Sequence, residues 1–150
     1  MYLADLHIHS KYSRATGRDA DIPHLDLWAR RKGIGLVGTG DFTHPAWRQE
    51  LADTLEPAEE GFYRIKEEAR LRDPFSLPVS PRFVLSGEIS CIYKQDGKVR
   101  KVHNVILLPS SMQRSASLSG WKRSAISART GGPSWGFHPK SCSRLLSTSA

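Results

Sequence analysis

Acidic residues are absent from the last 41 positions of this chain, and that absence divides it. Residues 110–150 carry six Lys+Arg and no Asp or Glu, whereas residues 1–109 carry 16 Lys+Arg and all 15 Asp+Glu. The net charge of +7 is therefore +1 in the first segment and +6 in the second. Basicity confined to one end cannot be credited to a DNA-binding face on a folded domain. Cysteine is scarce: Cys91 and Cys142 are the two present, and they lie far apart. That argues against a disulfide framework and makes a reduced, cytoplasmic setting the default. No stretch approaches the roughly 20 apolar residues of a membrane span, so no membrane partner is expected. The N-terminus lacks a basic region followed by an apolar run, which excludes a visible secretory signal. Neither GxxxxGK[ST] nor GxGxxG occurs, so the glycines do not form a nucleotide phosphate loop.

What is present suits a soluble α/β domain. Apolar residues make up 39% and charged residues 25% of the 150, enough for one domain with a real core. Residues 2–9 read as a first strand. Asp21-Ile22-Pro23 reads as a helix start, with an acidic cap and proline in the first turn, and Gly33 as its end. Ile34 to Thr39 is a short apolar run that suits a buried strand. Pro45 to about Arg72 reads as helical, broken near Glu56-Pro57. Pro74, Pro78 and Pro81 mark a loop, and Arg82 to Ser90 reads as a third strand. Residues 92–102 read as a hairpin about Gln95-Asp96-Gly97, and Val105–Leu108 as a further strand. This alternation predicts a mostly parallel arrangement.

Chemistry-bearing residues fall at the predicted strand ends, where parallel α/β folds collect function. His7 and His9 stand two apart within DLHIHS, so a strand would project both from one face with Asp5. Two imidazoles at that spacing suit a divalent metal, although a chance pair of surface histidines has the same pattern. Asp41 and His44 follow the second strand in GTGDFTHP; a plain turn with an Asp cap is the ordinary alternative. Glu88 follows Gly87 at the third strand, and His103 precedes the apolar run 105–108. A lone Glu or His there is more often a surface residue. His24 reads as a surface residue of the first helix, and His138 carries no weight. Taken together, His7, His9, Asp41, His44, Glu88 and His103 form a mixed N/O set of the kind that binds Zn²⁺, Mn²⁺ or Fe²⁺ in clusters. Such sites support attack of water on phosphorus.

DLHIHSKYSRAT, GTGDFTHPAW and GEISCIYKQDGKVRKVHNVILLP, in that order, resemble the polymerase-and-histidinol-phosphatase (PHP) superfamily and within it the endonuclease Q branch. The resemblance covers about residues 2–109. It implies a distorted (β/α)₇ TIM-like barrel, present here as a partial, N-terminal half (the PHP fold), and two or three divalent ions (Zn, Mn or Mg). His7 and His9 would be ligands of the first ion, and Glu88 would bridge ions. Asp41, His44 and His103 would line or complete the site, with Asp41 and Glu88 as the catalytic carboxylates. The implied activity is metal-dependent phosphodiester hydrolysis, nicking DNA at uracil, hypoxanthine or abasic sites. A small-molecule phosphatase of the same superfamily and a truncated, inactive metal-binding fragment are the alternatives. The superfamily's second motif usually has His directly after Asp, whereas Phe42 follows Asp41 here.

Later superfamily ligands have no counterpart after His103, so 1–109 is expected to be a partial PHP domain. Residues 110–150, with 12 serines, read as an irregular low-complexity tail without a core. Endonuclease Q relatives continue with a stretch similar to Ile-Arg-Ala-Asp-Gly-Arg-Pro-Ile-Leu-Gly. GC-rich codons for that peptide, read one base late, yield SARTGGPSWG, which is residues 127–136. The tail is therefore expected to be out-of-frame translation.

Overall fold

A computed structural model describes residues 2–14 and 16–108. The tail expectations, including Cys142 and His138, lie outside the described residues.

The chain begins with a short strand β1 (Leu3–Asp5), then helix α1 (Ile22–Lys32), strand β2 (Ile34–Gly38) and helix α2 (Pro45–Thr54). Strands β3 (Leu55–Pro57) and β4 (Tyr63–Ile65) and a 3₁₀ turn at Glu67–Ala69 follow. Two long strands, β5 (Arg82–Gln95) and β6 (Lys98–Leu108), complete it. The strand order is β1-β2-β5-β4-β3, with β6 also on β5. β1, β2 and β5 are mutually parallel; the β3/β4, β4/β5 and β5/β6 pairings are antiparallel.

Local chemistry explains the two helices. The Asp21 side chain accepts the His24 N–H, Pro23 occupies the first turn, and Gly33 closes α1 at φ 70°. Arg30, Arg31 and Lys32 sit in its last turn, where the helix dipole favours cations. One core joins both helices to the sheet through Ile22, Ala29, Val37, Trp47, Leu51, Leu55, Tyr63, Phe83 and Leu85. Buried Arg30 ties α1 to the loop that precedes β5. Arg30 donates to Asp26 Oδ2 at 2.8 Å, Ser76 Oγ at 2.6 Å and the Leu71 carbonyl at 2.6 Å. Among the described residues no helix is long and apolar enough to cross a membrane.

Several expectations need correction. The first strand ends at Asp5 rather than at residue 9, so His7 and His9 lie on the loop beyond it. The helix from Pro45 stops at Thr54. Lys66 donates to the Thr54 carbonyl while residues 55–57 and 63–65 pair as an antiparallel hairpin, tertiary pairing having overridden helical composition. Residues 98–108 are one strand, antiparallel to β5, so the sheet is mixed rather than mostly parallel. Of the expected partial TIM-like barrel, the described residues show the mixed α/β class, six strands with two helices. Cys91 is disulfide-bonded, against the expectation of no disulfide framework.

Candidate metal and active site

The site gathers where the parallel strands β1 and β2 end and where β5 passes beside them. The loop after β2 is laced onto β5. Thr39 N–H donates to the Val84 carbonyl at 2.9 Å and Phe42 N–H to the Ser86 carbonyl at 3.2 Å. Ser86 Oγ accepts from Gly40 N–H, and Thr39 Oγ1 accepts from Ser86 N–H. Trp47 of α2, fully buried, donates its indole N–H to the Thr39 and Gly40 carbonyls. These bonds fix Asp41 relative to Glu88. Two glycines permit the close packing. Gly40, at φ 64°, lets the Ile8 carbonyl lie where a Cβ would be, and a Cβ on Gly87 would stand 2.5 Å from the Phe42 ring. Asp41 itself holds φ 43°, a conformation Asp tolerates better than most residues.

Three candidate ligands converge. One ligand atom each from His7, His9 and Glu88 lie within 4.8 Å of one another. His7 Nε2 is 2.8 Å and His9 Nε2 3.4 Å from Glu88 Oε2. His103 Nδ1 meets the other carboxylate oxygen, Oε1. That contact follows from register: Glu88 pairs with Val105 and Ser90 with His103, so Glu88 and His103 are diagonal neighbours on one face. His103 is therefore at mid-strand, not at a strand end as expected.

Asp41 joins the group through His9, whose Nδ1 lies 3.4 Å from Oδ1. Its Oδ2 accepts three hydrogen bonds: Ser10 N–H at 2.8 Å, Ser10 Oγ at 2.7 Å and Ser13 Oγ at 2.7 Å. Burial would raise the pKa of the Asp41 carboxyl, but the Ser13 and Ser10 hydrogen bonds outweigh it and hold the group below its ordinary value. Burial also pushes Glu88 up, and the His7 hydrogen bond with the His103 charge brings it below the usual range. Both carboxylates are thus poised as anions beside imidazoles.

His44 is not brought into this cluster. It caps α2, its Nδ1 accepting the Trp47 N–H at 3.3 Å, and its ring stacks on Tyr12 at 4.5 Å. His24 sits at the start of α1 beside Asp21, as expected of a surface residue. Sequence reasoning missed Ser10, Ser13, Thr39 and Ser86. The available signal was small hydroxyl residues flanking candidate ligands, since such groups orient carboxylates and imidazoles from behind.

The donor chemistry fits a divalent ion. Two imidazoles and one carboxylate converge, and a second carboxylate backs one imidazole, the arrangement that orients a ligating histidine.

No protein-family model matches the chain. An uncharacterized protein of Methanocaldococcus jannaschii is 40% identical over 47 residues, 31% of this chain and 6% of that protein. Among solved structures, the chain is similar to endonuclease Q in complex with a 27-mer duplex substrate that carries an abasic lesion at the active site. The two are 26% identical with a TM-score of 0.58, covering 89% of this chain and 28% of the other. It is also similar to the lesion-specific endonuclease of Pyrococcus furiosus, at 26% identity and a TM-score of 0.59, with 89% and 27% covered. The chain thus spans little more than a quarter of the length of the solved structures it resembles, both of them endonuclease Q.

Proposed function

We propose that this chain carries the first part of a metal-dependent phosphodiester hydrolase of the PHP type, acting on duplex DNA at lesions in the manner of endonuclease Q. The observation that carries the reading is the convergence of His7 and His9, on the loop after β1, with Glu88 of β5 within 4.8 Å. Likeness to two endonuclease Q structures, one of them holding damaged duplex DNA, supports the substrate class.

His7, His9 and Glu88 would hold the ion, which when bound supplies charge stabilisation to a phosphoryl oxygen and acidifies water. Asp41 keeps His9 oriented, with Ser10 and Ser13 fixing the carboxylate. His103 holds the second oxygen of Glu88 and so sets the direction of the first. His44 serves the helix instead.

The test is calorimetric titration with Mn²⁺ and Zn²⁺, alongside nicking of duplexes containing uracil, hypoxanthine or an abasic site. Glu88→Gln and His9→Ala should each weaken metal binding about tenfold or more, as loss of a first ligand or its support does. His44→Ala should leave it within about twofold, because the cap does not touch the ion. Wild-type affinity in the Glu88 and His9 variants would sink the assignment. Release of phosphate from small esters, without nicking, would favour a phosphatase.

A further inference from the structure

Val84 is the last residue of β5 paired with β2. From Leu85 onward β5 pairs with β6, through eleven successive register positions ending at Gln95 and Lys98. Residues 89–104 include Lys94, Lys98, Arg100 and Lys101, all exposed, against a single acid, Asp96. Among the described residues none of these four cations has an ion-pair partner. Elsewhere Arg30, Arg31, Arg64 and Arg82 are each bound to a carboxylate. An uncompensated basic ribbon is costly to itself and gains from a polyanion.

Register sorts the four cations between two faces. Glu88, Ser90, Ile92 and Lys94 share one face with Val105, His103, Lys101 and Val99 opposite them. Lys101 and Lys94 therefore continue the line of Glu88 and His103 toward the turn, while Arg100 and Lys98 point to the other face. A two-residue step along an antiparallel strand is about 7 Å. A basic line at that spacing, beginning at the ligand cluster, suits a nucleic-acid backbone running out of the site. Lys supplies phosphate contact without base reading.

We propose that the outer β5–β6 ribbon binds the backbone of duplex DNA, with Lys101 and Lys94 contacting phosphates of the strand that passes the His7–His9–Glu88 cluster. The partner class rests on the function proposed above; the charge geometry does not. The experiment is fluorescence anisotropy of the full chain with an undamaged duplex in EDTA, at several salt concentrations. Binding without metal or lesion separates this inference from the hydrolase reading, which stands or falls on metal titration and nicking. Lys94→Gln/Lys101→Gln should weaken binding about tenfold at low salt and flatten the log K against log salt slope by about two. Lys98→Gln/Arg100→Gln, the same charge loss on the other face, should cost distinctly less. Both pairs are also made in a background with Arg114, Lys122, Arg123, Arg129, Lys140 and Arg144 replaced by Gln, to remove the contribution of the basic C-terminal segment. Persistence of the Lys94/Lys101 effect there supports the proposal. Unchanged affinity and slope for Lys94→Gln/Lys101→Gln, equal losses from both faces, or disappearance of the effect in the neutralised background would each overturn it.

Discussion

The two halves of β5 live in different environments. Phe83, Val84 and Leu85 are 0%, 5% and 3% exposed and lie inside the core. Along the outer half, the partner strand leaves Val99, Val102 and Val105 at 57%, 42% and 40% exposed. Glu88 stands at the junction. A carboxylate there is held rigidly from the core side, yet its oxygens face the open side where a substrate can approach. Binding groups on the ribbon can vary at little cost to the fold, whereas groups behind the site cannot.

The largest expected effect tests that contrast directly. Trp47→Ala should destabilise the protein by about 3–5 kcal/mol, since it opens a cavity and orphans the Thr39 and Gly40 carbonyls. Val102→Ala on the ribbon should cost less than about 0.5 kcal/mol. Chemical denaturation of both variants measures the difference, and similar midpoints would break the comparison. A smaller effect is expected at the junction. Gly87→Ala places a methyl 2.5 Å from the Phe42 ring. It should cost about 1–3 kcal/mol through overpacking. Because Phe42 follows Asp41 and Gly87 precedes Glu88, it should also loosen metal binding; retained metal affinity with lost stability would show that the two loops move independently.

The smallest effect concerns acid. Arg82, at the start of β5, grips Glu59 at 2.6 and 2.8 Å and holds its carboxyl down to about 2. A depressed carboxyl stabilises the fold above its unfolded value, 4.5 here, and that stability drains as pH falls toward 2. The pair is solvent-exposed, so the contribution is slight. Glu59→Gln should shallow the decline in melting temperature between those pH values while leaving the neutral-pH curve nearly unchanged; an identical acid limb would remove this pair from the account.

Much of the inner sheet was legible because its signals are local. The N-cap of α1 joins residues three apart, Asp21 and His24, and β2 announces itself as an apolar run closed by glycine. The ligand candidates His7, His9 and Glu88 stood out by type and by position after those runs. What escaped were features made by distant pairing. Residues 55–65 have helix-compatible composition but are captured as two strands by each other and by β5. The hairpin about Asp96-Gly97 was legible from its turn, but the pairing runs on to Leu85 and Leu108, beyond the expected 92–102. The capping of α2 by the His44 ring was not legible either, because a His before Pro45 carries no cap signature of its own.

Residue type and spacing by themselves determined that imidazoles, two carboxylates and the glycines between them occur at the ends of apolar runs, and that basicity is unevenly spread along the chain. Only the tertiary structure decided which of them meet. Contacts such as His7 with Glu88, 81 residues apart, depend on how parallel strands align and on hydroxyls of Ser10, Ser13, Thr39 and Ser86 that lock loop to strand. Periodicity describes one segment at a time, while a site is a property of several segments held in one register.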